Sequence, residues 1–139
     1  MKKLLILALI AFTTFNAFSQ NLQKGNLVGL HTVTVKLNAK TTMDQLVDFM
    51  STKWSAAESK FYSCDAKLLK YVRGGNVGAD KLTFLIIYKD AASRNKFYNP
   101  DGTTNEGGKA AEAKMKSITD EFNKLASIVK NEYTDWEVK

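Results

Sequence analysis

The stretch Leu82 to Lys89 (LTFLIIYK) constrains this chain's fold more than any other. Side chains along a strand point alternately to opposite faces. Leu82, Phe84, Ile86 and Tyr88 therefore share one face, and Leu85 and Ile87 the other. A strand that is apolar on both faces belongs inside a sheet, with cover above and below. The rest of the chain must supply flanking strands, a layer of helices for one face and something apolar for the other.

The remaining elements fit that demand. Leu27 to Leu37 alternates, with His31, Val33, Val35 and Leu37 on one side and Thr32, Thr34 and Lys36 on the other, the pattern of a half-buried strand. Thr42-Met43-Asp44-Gln45 reads as a capping box, in which hydroxyl and amide each satisfy a free backbone N–H. From it Met43, Leu46, Val47, Met50, Trp54, Ala57 and Phe61 recur at helical steps to about Tyr62. Ala66 to Arg73 is a second strand, closed by a loop with Gly74, Gly75 and Gly78. Ser93 to Tyr98 reads as a short helix capped by Asp90 and stopped by the turn Asn99-Pro100-Asp101-Gly102. Ala111, Met115, Ile118, Phe122, Leu125 and Val129 mark the longest helix, and Tyr133 to Val138 a terminal strand. The order β-α-β-β-α-β, with one small extra helix, is the ferredoxin-like arrangement. The predicted class is α+β, a four-stranded antiparallel sheet with helices on one face.

The first residues carry a different signal. Met1-Lys2-Lys3 precedes the apolar run Leu4 to Phe12, and Ala17 and Ser19 are the small residues that a signal peptidase accepts. Residues 1–19 are expected to be a cleaved secretory leader, and residues 20–139 a single secreted or periplasmic domain with no stable membrane span after cleavage. The run is shorter than the roughly 20 residues that cross a bilayer. The formal charge of +6 includes two leader lysines, so the mature domain is only mildly basic. Its lysines are interspersed with acids, as on an ordinary solvated surface. Cys64 is the lone cysteine, so no intramolecular disulfide forms. A small buried hydrophobe is its expected role.

No catalytic motif emerges. The glycines at 74, 75 and 78 lack the Lys-Ser/Thr of a phosphate loop. Lys81-Leu82-Thr83-Phe84-Leu85 lacks the glycine of an RNA-recognition signature, so nucleic acid is not an expected partner. No serine stands in a G-x-S-x-G elbow, and one histidine without acidic or thiol partners makes no zinc site. Neither a metal nor a cofactor is expected.

The segment Leu30-His31-Thr32-Val33-Thr34-Val35-Lys36-Leu37, followed by the capped helix, resembles the opening of stress-responsive A/B-barrel domains. The succession of elements is similar to the wider dimeric α+β-barrel superfamily, which includes antibiotic-biosynthesis monooxygenases and EthD-like proteins. The resemblance implies a homodimer whose sheets face one another and enclose a pocket. In some relatives that pocket carries out cofactor-free oxygen chemistry or haem breakdown, and in many no activity is assigned. Haem-degrading relatives place an axial histidine in the later helical region, and Ala91 to Lys130 holds none.

The ligand-pocket candidates are His31, Tyr71, Tyr88 and Trp54, each with a polar tip on an apolar body. The dimer-interface candidates are Leu85 and Ile87, or else Phe84 and Ile86, because helices cover only one of the two sets. The expected function is binding of a small apolar or aromatic molecule by an exported homodimer, without catalysis. The alternatives are a cofactor-independent monooxygenase-like enzyme using His31 with Tyr88 or Tyr71, and a structural or interaction module.

Overall fold

The computed structural model describes residues 22–71 and 78–139. The leader, its cleavage point, the end of the predicted second strand at Arg73, and Gly74 and Gly75 lie outside the described residues. Strand β1 (Leu27–Leu37) leads through a turn into helix α1 (Met43–Phe49), a π-helical turn (Met50–Trp54) and helix α2 (Ser55–Tyr62). Strands β2 (Asp65–Leu69) and β3 (Lys81–Tyr88), the short helix α3 (Ala91–Arg94), the long helix α4 (Glu106–Leu125) and strand β4 (Ala126–Glu137) follow.

The strands form one sheet in the order β2-β3-β1-β4, with every neighbouring pair antiparallel. This is the ferredoxin-like arrangement, and Leu82 to Tyr88 lies inside the sheet beside β1, as its two-sided apolarity requires. The helices cover one face. Val33 and Val35 of β1 and Leu82 and Phe84 of β3 pack there with Leu46, Phe49 and Met50 of the first helical segment and Phe122 of α4. Phe84 and Leu46 are fully enclosed, and burial of side chains of this size stabilises the fold by about 1.5–3 kcal/mol each. A second cluster gathers Tyr62, Ala111 and Met115, with Phe97 and Tyr98 packed against it.

Local chemistry sets the element ends. Thr42 and Gln45 form the reciprocal capping box at α1. Ser63, in the left-handed region at φ 50°, ends α2. Asn105 caps the start of α4 through the Gly108 N–H, and the Asn38 backbone and side chain meet the Leu125 and Asn123 carbonyls at its end. Gly107 and Gly108 let α4 start against the Lys96 and Phe97 carbonyls, where a Cβ would collide.

Four boundaries differ from the sequence reading. Helix α4 ends at Leu125 and β4 begins at Ala126, not Tyr133. Val129 keeps helical spacing with Leu125, but it belongs to the β-branched run of a strand, beside an irregularity in the β1–β4 register. The short helix covers Ala91–Arg94 and not Ser93 to Tyr98, because the Asp90 side chain accepts from Ser93 N–H and fixes the start two residues earlier. Strand β2 runs from Asp65 to Leu69. The inner face of the first long helix also changes: Phe49 and Tyr62 are buried, Val47 is exposed and Phe61 is only half-buried. For Phe61 and Tyr62, which follow it, the π-helical turn is the reason. Its extra residue rotates everything after it by about 100° relative to a continuous α-helix. The Met50 carbonyl accepts both the backbone N–H and the hydroxyl of Ser55, which holds the wider turn in place.

Among the described residues no helix packs on the other sheet face. Trp136, Val28 and Ile87 lie in one row across β4, β1 and β3, and Leu30 and Leu85 lie in the next. Leu69 of β2 adds to the same face. Trp136 is 62% exposed, Leu69 39% and Leu30 36%. The alternative pair Phe84 and Ile86 is thereby corrected as an interface, because both side chains pack with the helices.

Candidate functional site

The sheet register places His31 between Phe84 of β3 and Tyr133 of β4, on the face that the helices cover. The cover is incomplete there. Helix α2 lies against β2, while β4 beyond Ala126 is exposed along its whole length. A shelf results, floored by Gly29 and His31 of β1 and by Asn131, Tyr133 and Asp135 of β4. Gly29 makes room for the Asp135 carboxylate, which a Cβ would meet at 3.2 Å. Arg94 closes this end of the shelf, reaching Asp135 at 3.4 Å while lying over the Tyr98 ring.

The His31 and Tyr133 rings are stacked, with centroids 4.3 Å apart and planes 20° from parallel. Tyr133 itself is 66% exposed, so it is a loose cover over a half-buried imidazole. Burial holds the His31 pKa below its ordinary value, opposed by a hydrogen bond with the Asn131 side chain, so the ring is neutral at physiological pH. His31 Nε2 is buried and has no hydrogen-bond partner among the described residues. An unpaired buried polar atom of this kind costs about 1–3 kcal/mol.

Glu58 of α2 accepts a 2.7 Å hydrogen bond from the Trp54 indole. Burial raises its pKa, opposed by that bond. Burial and then the Glu58 charge raise the pKa of the Tyr133 phenol, which places Glu58 within electrostatic reach of the shelf. Behind it the aromatic side chains are tightly packed. Tyr62 stacks on Tyr98 at 5.9 Å and meets Phe97 at 5.3 Å. Burial pushes the Tyr62 phenol and the Cys64 thiol each up to about 12, and the phenols of Tyr88 and Tyr98 higher still. Cys64 also bonds the Glu58 carbonyl at 3.7 Å. Protonated and half-buried, the thiol is a packing group and a poor nucleophile.

The four pocket candidates therefore separate. His31 lines the shelf. Trp54 packs against the core, bonded to Glu58 and with its ring edge-on to Phe122 at 5.5 Å. Tyr88 is enclosed at the end of β3 where β2 begins. Tyr71 follows β2 at the opposite end of the sheet and is 46% exposed. Tyr133, Asn131 and Glu58 belong to the site and were not among the sequence candidates. Alternation in the last strand puts Asn131, Tyr133 and Asp135 opposite Thr134 and Trp136, and that signal could have found the first two. Glu58 is one helical turn from Trp54.

A separate open groove of about 320 Å³ lies between α2 and the edge strand β2, lined by Ser51, Ser55, Ser59, Ala66 and Lys67 among others. None of the four candidates lines it. Ser55 Oγ donates to the Met50 carbonyl, and Ser59 Oγ accepts from the Ala66 N–H. Among the described residues no group of His, Cys, Asp and Glu is placed to hold a metal ion. No helix among them is long and apolar enough to cross a membrane.

Fold and register define a ferredoxin-like α+β domain with an aromatic shelf at one end of its sheet. A NIPSNAP family protein from Agrobacterium tumefaciens is a similar solved structure, with a TM-score of 0.50 and 12% identity over 80% of this chain and 90% of that one. At that identity the likeness establishes the fold alone. No family model matches the chain, and no curated protein does.

Proposed function

We propose that the mature protein is an exported homodimer of the dimeric α+β-barrel type that binds a small, partly apolar aromatic molecule on the His31–Tyr133 shelf, without catalysing its turnover. The observation that carries this reading is the buried His31 Nε2 with no partner beneath a solvent-exposed, stacked Tyr133. A flat ring that takes the place of Tyr133 keeps the stacking over the imidazole. Stacked aromatic pairs contribute about 0.5–1.5 kcal/mol beyond the area they bury. Catalysis by proton transfer calls for a base oriented by a partner. The side chain that acts on the His31 pKa is the neutral amide of Asn131 and not a carboxylate, which favours binding over turnover. The open face with Trp136, Val28, Ile87, Leu30 and Leu85 supports the dimer, since a two-fold axis lets one apolar patch cover its own copy. Export rests on the leader pattern of residues 1–19.

A thermal-shift series with phenol, p-cresol, 4-ethylphenol, indole and their saturated ring analogues tests the binding. At ten times Kd a ligand stabilises the folded state by about 1.4 kcal/mol, raising Tm by about 4–8 °C in a domain of this size. Aromatic members are expected to give that rise in the wild type and to lose most of it in Tyr133→Ala or His31→Ala. If none of the series raises Tm, or if the rise survives both substitutions, the shelf is not the binding site.

A further inference from the structure

Arg94 carries more binding capacity than the fold uses. A guanidinium presents its N–H donors in a planar fork that suits a carboxylate. Arg94 Nη1 donates to the Asn99 carbonyl at 2.8 Å, and the cation lies 5.1 Å from the centre of the Tyr98 ring. These two contacts hold the fork in place, and the side chain is only 15% exposed. Nη2 stands 3.4 Å from the Asp135 carboxylate, whose side chain is 46% exposed. A charge-assisted hydrogen bond is shorter, about 2.7–2.9 Å. Asp135 therefore supplies charge without a hydrogen bond, and among the described residues the Asn99 carbonyl is the acceptor bonded to the fork. Asp101, whose carboxyl also feels the Arg94 charge, is bound instead to the Thr103 N–H and hydroxyl. The cation is fixed and largely buried, and its anion has room to swing into water.

The register puts this pair beside the ring stack. Asp135 lies opposite Gly29, its carboxylate 3.2 Å from where a Gly29 Cβ would be. Tyr133 lies opposite His31, two residues along both strands. At about 3.3 Å per residue the two rows are about 7 Å apart. We infer that the shelf takes aromatic acids, whose ring stacks on His31 and whose carboxylate, carried on a short alkyl arm, displaces Asp135 from Arg94. This rests on the binding site proposed above and names its ligand class. Asp135 is an internal stand-in for the ligand's carboxylate, neutralising Arg94 until an anion arrives that hydrogen-bonds the fork directly. Neutral phenols gain the stacking alone.

Isothermal titration of the mature protein at low salt compares 3-phenylpropionate with 3-phenylpropanamide, which has the same ring and arm without the charge. The acid is expected to bind about tenfold more tightly, the weak end of the range for one hydrogen bond to a charged group. Arg94→Gln is expected to make the two affinities equal. Asp135→Asn removes the competing anion and keeps Arg94, and is expected to widen the preference a further two- to fivefold or so, roughly the worth of a part-exposed ion pair. An acid that binds no better than the amide overturns the selection and leaves the shelf as a site for neutral rings. A preference that survives Arg94→Gln, or that shrinks in Asp135→Asn, overturns the role given to Arg94. Asp135→Asn leaves the Arg94 contacts with Asn99 and Tyr98 intact, so it decides the matter should Arg94→Gln not fold. If neither compound binds but the neutral phenols do, this inference falls alone; if the phenols fail as well, the binding site falls with it.

Discussion

Leu85 and Phe84 are adjacent in sequence, and the account assigns them opposite jobs. Leu85 lies on the open face between Leu30 of β1 and Lys67 of β2, whereas Phe84 is 2% exposed under the helices. Leu85→Glu should leave the monomer folded, because the new carboxylate sits beside the Lys67 ammonium with water access. In the dimer the substitution occurs twice across the two-fold axis. Leu85 is already half covered within one chain, so the lower end of the range for an apolar side chain, about 1.5 kcal/mol per copy, is the appropriate loss. About 3 kcal/mol per dimer weakens Kd about 150-fold. Desolvation of the two carboxylates adds to this, so the figure is a floor. Phe84→Ala should instead cost the monomer about 3–5 kcal/mol by emptying the core. Sedimentation equilibrium across micromolar concentrations reads the first effect, and urea denaturation reads the second. The wild type is expected to be a dimer, and Leu85→Glu a folded monomer over the same range. A wild type that is monomeric at tens of micromolar, or a Leu85→Glu dimer as tight as the wild type, would refute the assignment of this face.

Three further outcomes follow from the same structure. The Cys64 thiol, pushed up to about 12 by burial, should resist a disulfide reagent at pH 8 in the folded protein and react within minutes in denaturant; prompt reaction without denaturant would contradict its packing role. His31 is held below its ordinary value of 6.5, so as pH falls through that value the unfolded chain takes up the proton first and stability drops down to the folded pKa; urea midpoints at pH 7.5 and 5.5 should fall more for the wild type than for His31→Phe, and equal falls would contradict this. Mass spectrometry of protein from its native host should find the N-terminus at Gln20, and a mass that retains Met1 to Ser19 would contradict export.

The parts of this fold written most clearly in the sequence are those where one period acts alone. Alternation in Leu27 to Leu37, the Thr42–Gln45 box and the two-sided run in β3 each reappear at the expected residues. Legibility failed where two periods overlapped. Val129 fits both the helical spacing from Leu125 and the β-branched start of β4, and tertiary pairing with β1 decides between them. The π-helical turn was not legible because it depends on a hydroxyl, Ser55, competing for the Met50 carbonyl, and no spacing rule records that. The shelf was half legible. His31 stood out as the lone imidazole on an apolar face, but Tyr133 lay at the boundary of a strand read as starting there. Its stacking on His31 exists only through the β1–β4 register.

The most direct test of the account is a crystal structure of the mature protein soaked with 4-ethylphenol. The expected result is a Tyr133 side chain swung away from His31, with the ligand ring stacked on the imidazole in its place. Ligand found only elsewhere, for instance in the groove between α2 and β2, with Tyr133 still stacked on His31, would contradict the claim that this shelf is the binding site.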